Sequence, residues 1–159
     1  MAQYVQIREF TADDLLSVYR LIQDTIDVSY HEAYPEEAVE FFKDYHSEEQ
    51  ILNDAANGYT VVAECNSEVL GTGTLLGMNI RRVFINPPQQ HRGTGKLIIR
   101  ELEKKALLEK SVTLDLGASL VSRQFWESLG FVVQREDFVP VRNGQRLHYY
   151  RMTKTLGDS

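Results

Sequence analysis

The chain has 159 residues, 43% of them hydrophobic and 25% charged, with a formal charge of -6 at pH 7. This length suits one domain with a real core, and the composition excludes both disorder and a fibrous repeat. The acidic balance argues against a protein that coats nucleic acid or an anionic membrane, although it leaves room for a local anion site.

In chain order, "YVQIREF" (4–10) alternates apolar and polar residues and predicts a half-buried strand. "TADDLLSVYRLIQDTIDVSY" (11–30) follows with Thr11 as N-cap, acids in its first turn and Leu15, Val18, Leu21, Ile22 and Ile26 on one helical face. Pro35 opens and Gly58 closes "PEEAVEFFKDYHSEEQILNDAANG", which predicts one broken helix or two short ones. "YTVVAEC" and "VLGTGTLLG" read as a hairpin across "NSE", and "NIRRVFIN" as a further strand. The period then changes. In "TGKLIIRELEKKALLEK", Ile98, Leu102 and Ala106 recur every fourth residue among charges, predicting a helix over 94–110. "SVTLDLGA" is a short apolar strand, "SLVSRQFWESLG" a helix ended by Gly130, and "FVVQREDFVPV" and "QRLHYYRMTKTL" two last strands around "RNG". Strands at both ends and a strand-helix-strand crossover between them imply a mixed sheet with helices packed on it.

No apolar run reaches membrane-spanning length, and "MAQYVQIREF" lacks the basic-then-apolar order of a leader, so a cytoplasmic protein is expected. Cys65 is single, which leaves no intrachain disulfide, and in "YTVVAEC" it reads as a small sheet residue. The four His are scattered without ligand spacing, so no metal is expected.

The loop "PPQQHRGTGK" lies between a strand and a helix. Backbone N–H groups of Gly93, Thr94, Gly95 and Lys96 would be the unpaired donors of that helix's first turn, and such an end attracts anions. Arg92, Lys96 and His91 add charge-assisted bonds, so a phosphate or pyrophosphate is the natural ligand. The loop is not a Walker A sequence, which would need glycine at His91 and Ser or Thr at Leu97, nor a dinucleotide fingerprint, whose third glycine would fall at Ile98. A merely tight strand-to-helix turn is the other reading of these residues.

"VFINPPQQHRGTGKLI" resembles the acyl-CoA-binding segment of the GNAT N-acetyltransferase superfamily, in which a strand and a D/N-P step lead to Q/R-x-x-G-x-G/A at the start of a helix. Gln90, Gly93 and Gly95 match it. Further on, "SRQFWESLGFVVQRE" is similar to the family's second signature, with Trp126, Gly130 and Phe131 in the aromatic and Gly-Phe places. The resemblance runs from Val5 to Leu156. It implies a single GNAT-like α/β domain over 1–159 with a mixed sheet of six to seven strands, flanking helices and a splayed fourth and fifth strand.

It also implies a chemistry. The pantetheine arm of acetyl-CoA would lie along Val83, Phe84 and Ile85 like an added strand, with the pyrophosphate on Gln90, His91, Arg92, Gly93, Thr94, Gly95 and Lys96. Phe84 or Ile85 N–H would hold the thioester oxygen. Ser119 stands where the family often has an Asn near the CoA arm, Arg123 is a further phosphate or adenine contact, and Trp126 belongs to the same binding face. Trp126 also stands where many members have a Tyr that protonates the leaving thiolate, a role the indole N–H cannot fill. Asn79 stands where many have a Glu that deprotonates the amine through water. Acid and base therefore have to come from elsewhere, and the region after the first helix offers His31 and Tyr34, with Tyr30 beside them. Seven acids between Glu32 and Glu49 read as a solvated helix face, or as a lure for a cationic acceptor.

The activity so implied is direct transfer of an acetyl group from acetyl-CoA to a primary amine, on a small molecule or a peptide, without a covalent enzyme intermediate. The alternative is an acyl-CoA sensor or interaction domain on the same fold. No nucleic acid or membrane partner is expected. The last strands offer an edge at which a second copy could pair to form a homodimer.

Overall fold

A computed structural model describes residues 4–157. Seven strands form one mixed sheet in the order β1-β2-β3-β4-β5-β7-β6, where β1 is Gln6–Glu9, β2 Tyr59–Cys65, β3 Glu68–Leu76, β4 Asn79–Ile85, β5 Thr113–Ser119, β6 Val132–Pro140 and β7 Arg146–Thr155. All neighbours are antiparallel except β4 and β5, which are joined by the crossover helix α4, Thr94–Leu108.

The remaining helices are α1, Leu15–Ser29; α2, Glu36–Tyr45; α3, Glu48–Asn57; and the short α5, Arg123–Ser128. The segment 35–58 forms two helices because His46 leaves helical geometry and Ser47 caps the second, accepting the Gln50 N–H at 3.2 Å. Thr11 and Asp14 form a capping box before α1. The Arg8 guanidinium on β1 grips the same Asp14 with two bonds of 2.8 and 2.9 Å and holds its carboxyl below the usual range.

Two boundaries differ from the sequence expectation. Asn66 and Ser67 alone form the first hairpin turn, both at positive φ as a two-residue turn requires, and Glu68 already belongs to β3. The helix expected from Ser119 begins at Arg123, because Ser119 is the last rung of β5 and pairs with Tyr149.

Each face of the sheet buries a separate core. Under α4 lie Val61, Ile80, Ile98, Leu102, Leu116, Trp126 and Phe131, and under α1 and α2 lie Ile22, Ile26, Tyr34, Val39, Val62 and Phe84. β4 serves both by changing parity. Thr72 pairs with Phe84 but Thr74 pairs with Arg81, so Gly73 faces two residues, Arg82 and Val83. Arg82 takes a φ of 55° to make this bulge. Before it Ile80 points to the α4 face. After it Val83 and Ile85 take that face, while Phe84 turns to the α1/α2 core.

Candidate active site

The site follows from how β4 and β5 are held. They pair only at Asn79 and Asp115, with the Asp115 N–H donating to Met78 O at 3.0 Å, whereas β3 holds β4 and β7 holds β5 along their full lengths. Beyond that single rung the two strands part. A cleft of about 360 Å³ opens between them, reaching Trp126 on the α4 face and Tyr30, Phe41, Phe42 and Tyr45 on the other.

The gap exposes one edge of β4. Asn86 N–H donates to Leu70 O at 2.8 Å, and alternation along an antiparallel ladder then turns the Phe84 N–H toward β3 and the Ile85 N–H toward the gap. The Ile85 carbonyl is occupied, because the Gln90 side-chain amide folds back and donates to it at 3.0 Å. Gln90 therefore shapes the loop with its side chain. Val83 and Ile85 present apolar surface beside the gap, and Phe84 is buried.

From Ile85 the chain enters a single 3-10 turn, Pro87–Gln89, and reaches α4 through Gly93. Gly93 has a φ of 87°, a backbone conformation that glycine adopts without a Cβ penalty. No side chain caps α4, which leaves the N–H groups of its first turn, Thr94, Gly95 and Lys96, open to a ligand. Thr94 and Gly95 are buried, while His91, Arg92 and Lys96 are exposed around them. A Cβ on Gly95 would lie 2.9 Å from the Phe125 ring, so glycine is what lets α4 seat against α5 here. The cradle suits a pyrophosphate in donors, charge and room, and the β4 edge suits an amide-bearing arm leading from it.

The candidates for proton transfer fall in different surroundings. His31 is exposed and lies 3.6 Å from Asp27 and 3.3 Å from Glu36, outside the cleft lining. Tyr34 is buried, with its hydroxyl donating to His148 O and accepting from Leu120 N–H, each at 2.8 Å. The phenol thus stands in place of the next β5–β7 rung after Ser119 and Tyr149, and burial raises its pKa above the ordinary phenol value. Tyr30 lines the cleft. Burial raises its pKa as well, and the neighbouring Ser119 hydroxyl offsets part of that rise. Ser119 Oγ also donates to Ser122 Oγ at 3.0 Å. Trp126 packs edge-on to Phe131, with ring centroids 5.2 Å apart. Arg123, at the start of α5, sits over the Tyr150 ring at 4.7 Å and beside Glu127.

A second group had no motif to announce it. Arg82, whose side chain is 3% exposed, donates Nη1 to Asp54 Oδ2 at 2.7 Å and Nε to His46 Nδ1 at 3.0 Å. These residues come from β4, α3 and the break after α2. The bond from Arg82 fixes the imidazole proton on Nε2. Burial, aided by the guanidinium, pushes the His46 pKa down to about 3, so the ring is neutral. His46 lines the cleft, and its Nε2 makes no hydrogen bond to another protein group among the described residues. Asn79 at the root of the gap is likewise fixed, accepting from Arg81 Nε at 2.8 Å and donating to Asp115 Oδ1 at 2.6 Å. Asp115 thus sets a carboxylate beside Asn79 across the rung.

Comparison with known proteins agrees with this architecture. The acetyltransferase (GNAT) domain family matches residues 30–155. A GCN5-related N-acetyltransferase from Rhodopseudomonas palustris superposes with a TM-score of 0.88 at 23% identity, covering 98% of this chain and 99% of that one. PaiA N-acetyltransferase from Thermoplasma acidophilum, solved with coenzyme A, gives 0.76 at 19% identity, covering 96% and 99%. The ribosomal-protein-S18-alanine N-acetyltransferase from Escherichia coli gives 0.72 at 16% identity, covering 98% and 96%. No curated protein sequence matches the chain. With a family match over most of its length, and a parted fourth and fifth strand that runs into an uncapped glycine loop, the chain belongs to the GNAT acetyltransferase family.

Proposed function

We propose that the protein transfers an acetyl group from acetyl-CoA to a primary amine by direct attack within a ternary complex. The carrying observation is the free edge of β4, which leads from the open cleft to the uncapped start of α4. In this reading the first-turn N–H groups of α4, with Arg92, Lys96 and His91 at the rim, hold the pyrophosphate, and Val83 to Ile85 receive the pantetheine arm. Acetyl-CoA supplies the activated acyl group, and the amine nitrogen displaces its thiolate.

The chain's own residues then do three things. The Ile85 N–H, directed into the gap, stabilises negative charge on the carbonyl oxygen. Tyr30 donates a hydrogen bond to the departing sulfur, since its hydroxyl faces the cleft while that of Tyr34 is committed at both ends. The amine proton leaves through water toward Asp115, the carboxylate beside Asn79.

Thermal unfolding with and without saturating acetyl-CoA tests binding. A ligand at about 100 times its Kd stabilises by about 2.7 kcal/mol, which raises the midpoint of a domain this size by about 5 to 11 °C. Arg92→Glu with Lys96→Glu, both on the surface, should keep the fold and lose most of the shift. Thiol release stimulated by an amine then separates turnover from an acyl-CoA sensor, which would bind without releasing thiol. Ping-pong kinetics or an acetylated Cys65 would overturn direct transfer.

A further inference from the structure

Resting on that reading, we propose that the acceptor is a small amine that also carries a carboxylate and an apolar, aromatic-sized body, an amino-acid-like acid rather than a polyamine. Charge is the first observation. The Asp115 carboxylate is held by Asn79 at the root of the gap, and among the described residues that line the cleft none is Asp or Glu, whereas Arg81, Arg82 and Arg151 are there. The acids of α2, which the sequence offered as a lure for cations, are directed elsewhere. Glu40 pairs with Arg142, Glu37 accepts from Asn143 at 2.9 Å and Glu36 lies by His31.

The three arginines are not equivalent. Arg82 is buried and spent on Asp54 and His46. Arg81 donates Nε to Asn79 and reaches the Asp54 carboxylate, already held by Arg82, only at 3.5 Å. The Arg151 side chain is 45% exposed, and its Nε is 3.6 Å from Asp137 Oδ2, beyond hydrogen-bonding distance. Arg81 and Arg151 thus retain unspent N–H groups.

Both line the same cleft, one from each side of the gap. Arg81 lies on β4 and Gly117 on β5, each two residues beyond the rung between Asn79 and Asp115, where the strands have parted, and the partner of Gly117 on β7 is Arg151. Parity puts all three on the α1/α2 face, opposite Ile80, Leu116 and Met152. Gly117 contributes no side chain between the guanidiniums. The Tyr149 ring lies against it instead, 3.2 Å from where a Cβ would stand. A planar carboxylate above that ring can take bonds from the Arg151 fork, with Arg81 across the gap adding positive charge, a pairing that a guanidinium suits and a lone ammonium does not.

The apolar half is equally built. Phe42 meets the rings of Tyr30 and Tyr34 edge-on at 4.9 and 5.0 Å, and Phe84 meets His46 edge-on at 5.1 Å. Tyr30, Phe42, Phe84 and His46, with Leu147 and Val139, wall the acceptor side of the cleft. A polyamine would meet arginines and ring faces here, with no carboxylate on that wall to receive its second ammonium.

The test compares matched pairs, L-phenylalanine with phenethylamine and L-leucine with isoamylamine, with spermidine as the polycation. Acetyl-CoA binding is measured first, and its absence would defeat the acetyltransferase reading itself whatever the acceptor. Acceptor binding is then read by calorimetry on the CoA-saturated protein, so the comparison does not depend on turnover, and kcat/KM is read by thiol release. We expect each acid to exceed its amine by about tenfold or more, as one charge-assisted contact provides. Arg151→Met should erase that preference through KM while leaving acetyl-CoA affinity unchanged, and Arg151→Lys should restore part of it. With CoA bound, equal or undetectable binding of both pair members, preference for spermidine, or a preference that survives Arg151→Met would overturn the proposal.

Discussion

Replacing His46 by Gln gives a direct reading of the buried Arg82 network. The imidazole titrates at about 6.5 when unfolded and is pushed to about 3 in the folded protein, first by burial and then by Arg82. Its folded pKa is depressed, so the folded chain stays unprotonated through a window in which the unfolded chain takes up a proton. Stability from this group is therefore fully present above pH 6.5 and is lost as pH falls toward 3. At 1.36 kcal/mol per pH unit, moving from pH 7 to pH 5 costs about 2 kcal/mol, a large part of a typical 5–15 kcal/mol total. Gln keeps an acceptor for the Arg82 Nε–H but does not titrate. His31, His91 and His148 are common to both proteins, and carboxylates titrate mainly below this range. The assay is urea unfolding at both pH values, read from the fluorescence of Trp126, the chain's one tryptophan and a buried one. Wild type should lose about 2 kcal/mol more than His46→Gln. Equal losses would show that the ring is not held neutral and would remove the basis for treating its Nε2–H as a fixed donor.

Tyr34→Phe should destabilise by about 1–3 kcal/mol in urea unfolding, because Leu120 N–H and His148 C=O each lose a buried partner. Tyr30→Phe should leave that unfolding free energy nearly unchanged but lower kcat without raising the KM for acetyl-CoA, and steady-state thiol release checks this. Gly95→Ala forces a Cβ to within 2.9 Å of the Phe125 ring. Overpacking of this kind costs about 1–3 kcal/mol, and displacing α4 from α5 should weaken acetyl-CoA binding in the thermal-shift assay.

Much of the fold was legible because its signals are local. The 3.6-residue period of α1 and α4, the cap at Thr11 and the glycine at the start of α4 each depend on residues within a few positions of one another. The anion cradle was legible for the same reason, since a strand end, a glycine at positive φ and an uncapped helix start are consecutive in the chain. The misplaced start of α5 shows the limit. Ser119 and Leu120 suit a helix by sequence, but pairing with Tyr149 keeps Ser119 in β5, and the bond from Leu120 N–H to Tyr34 holds Leu120 in the turn that follows.

The sequence by itself therefore determined the order of elements, the glycine loop before an uncapped helix and the family's two signatures, all written in short-range spacing. Only the tertiary structure decided which groups face the cleft. The bulge at Arg82 and Val83 exchanges the faces of β4, and no local pattern reveals a bulge that forms opposite Gly73 on the partner strand. Arg82 meets His46 across 36 positions and Tyr34 meets His148 across 114. Arg81 and Arg151 come to line one cleft only through the pairing of β4, β5 and β7. Such contacts are set by sheet pairing and by the need to satisfy every buried polar group, both properties of the assembled chain rather than of any one segment.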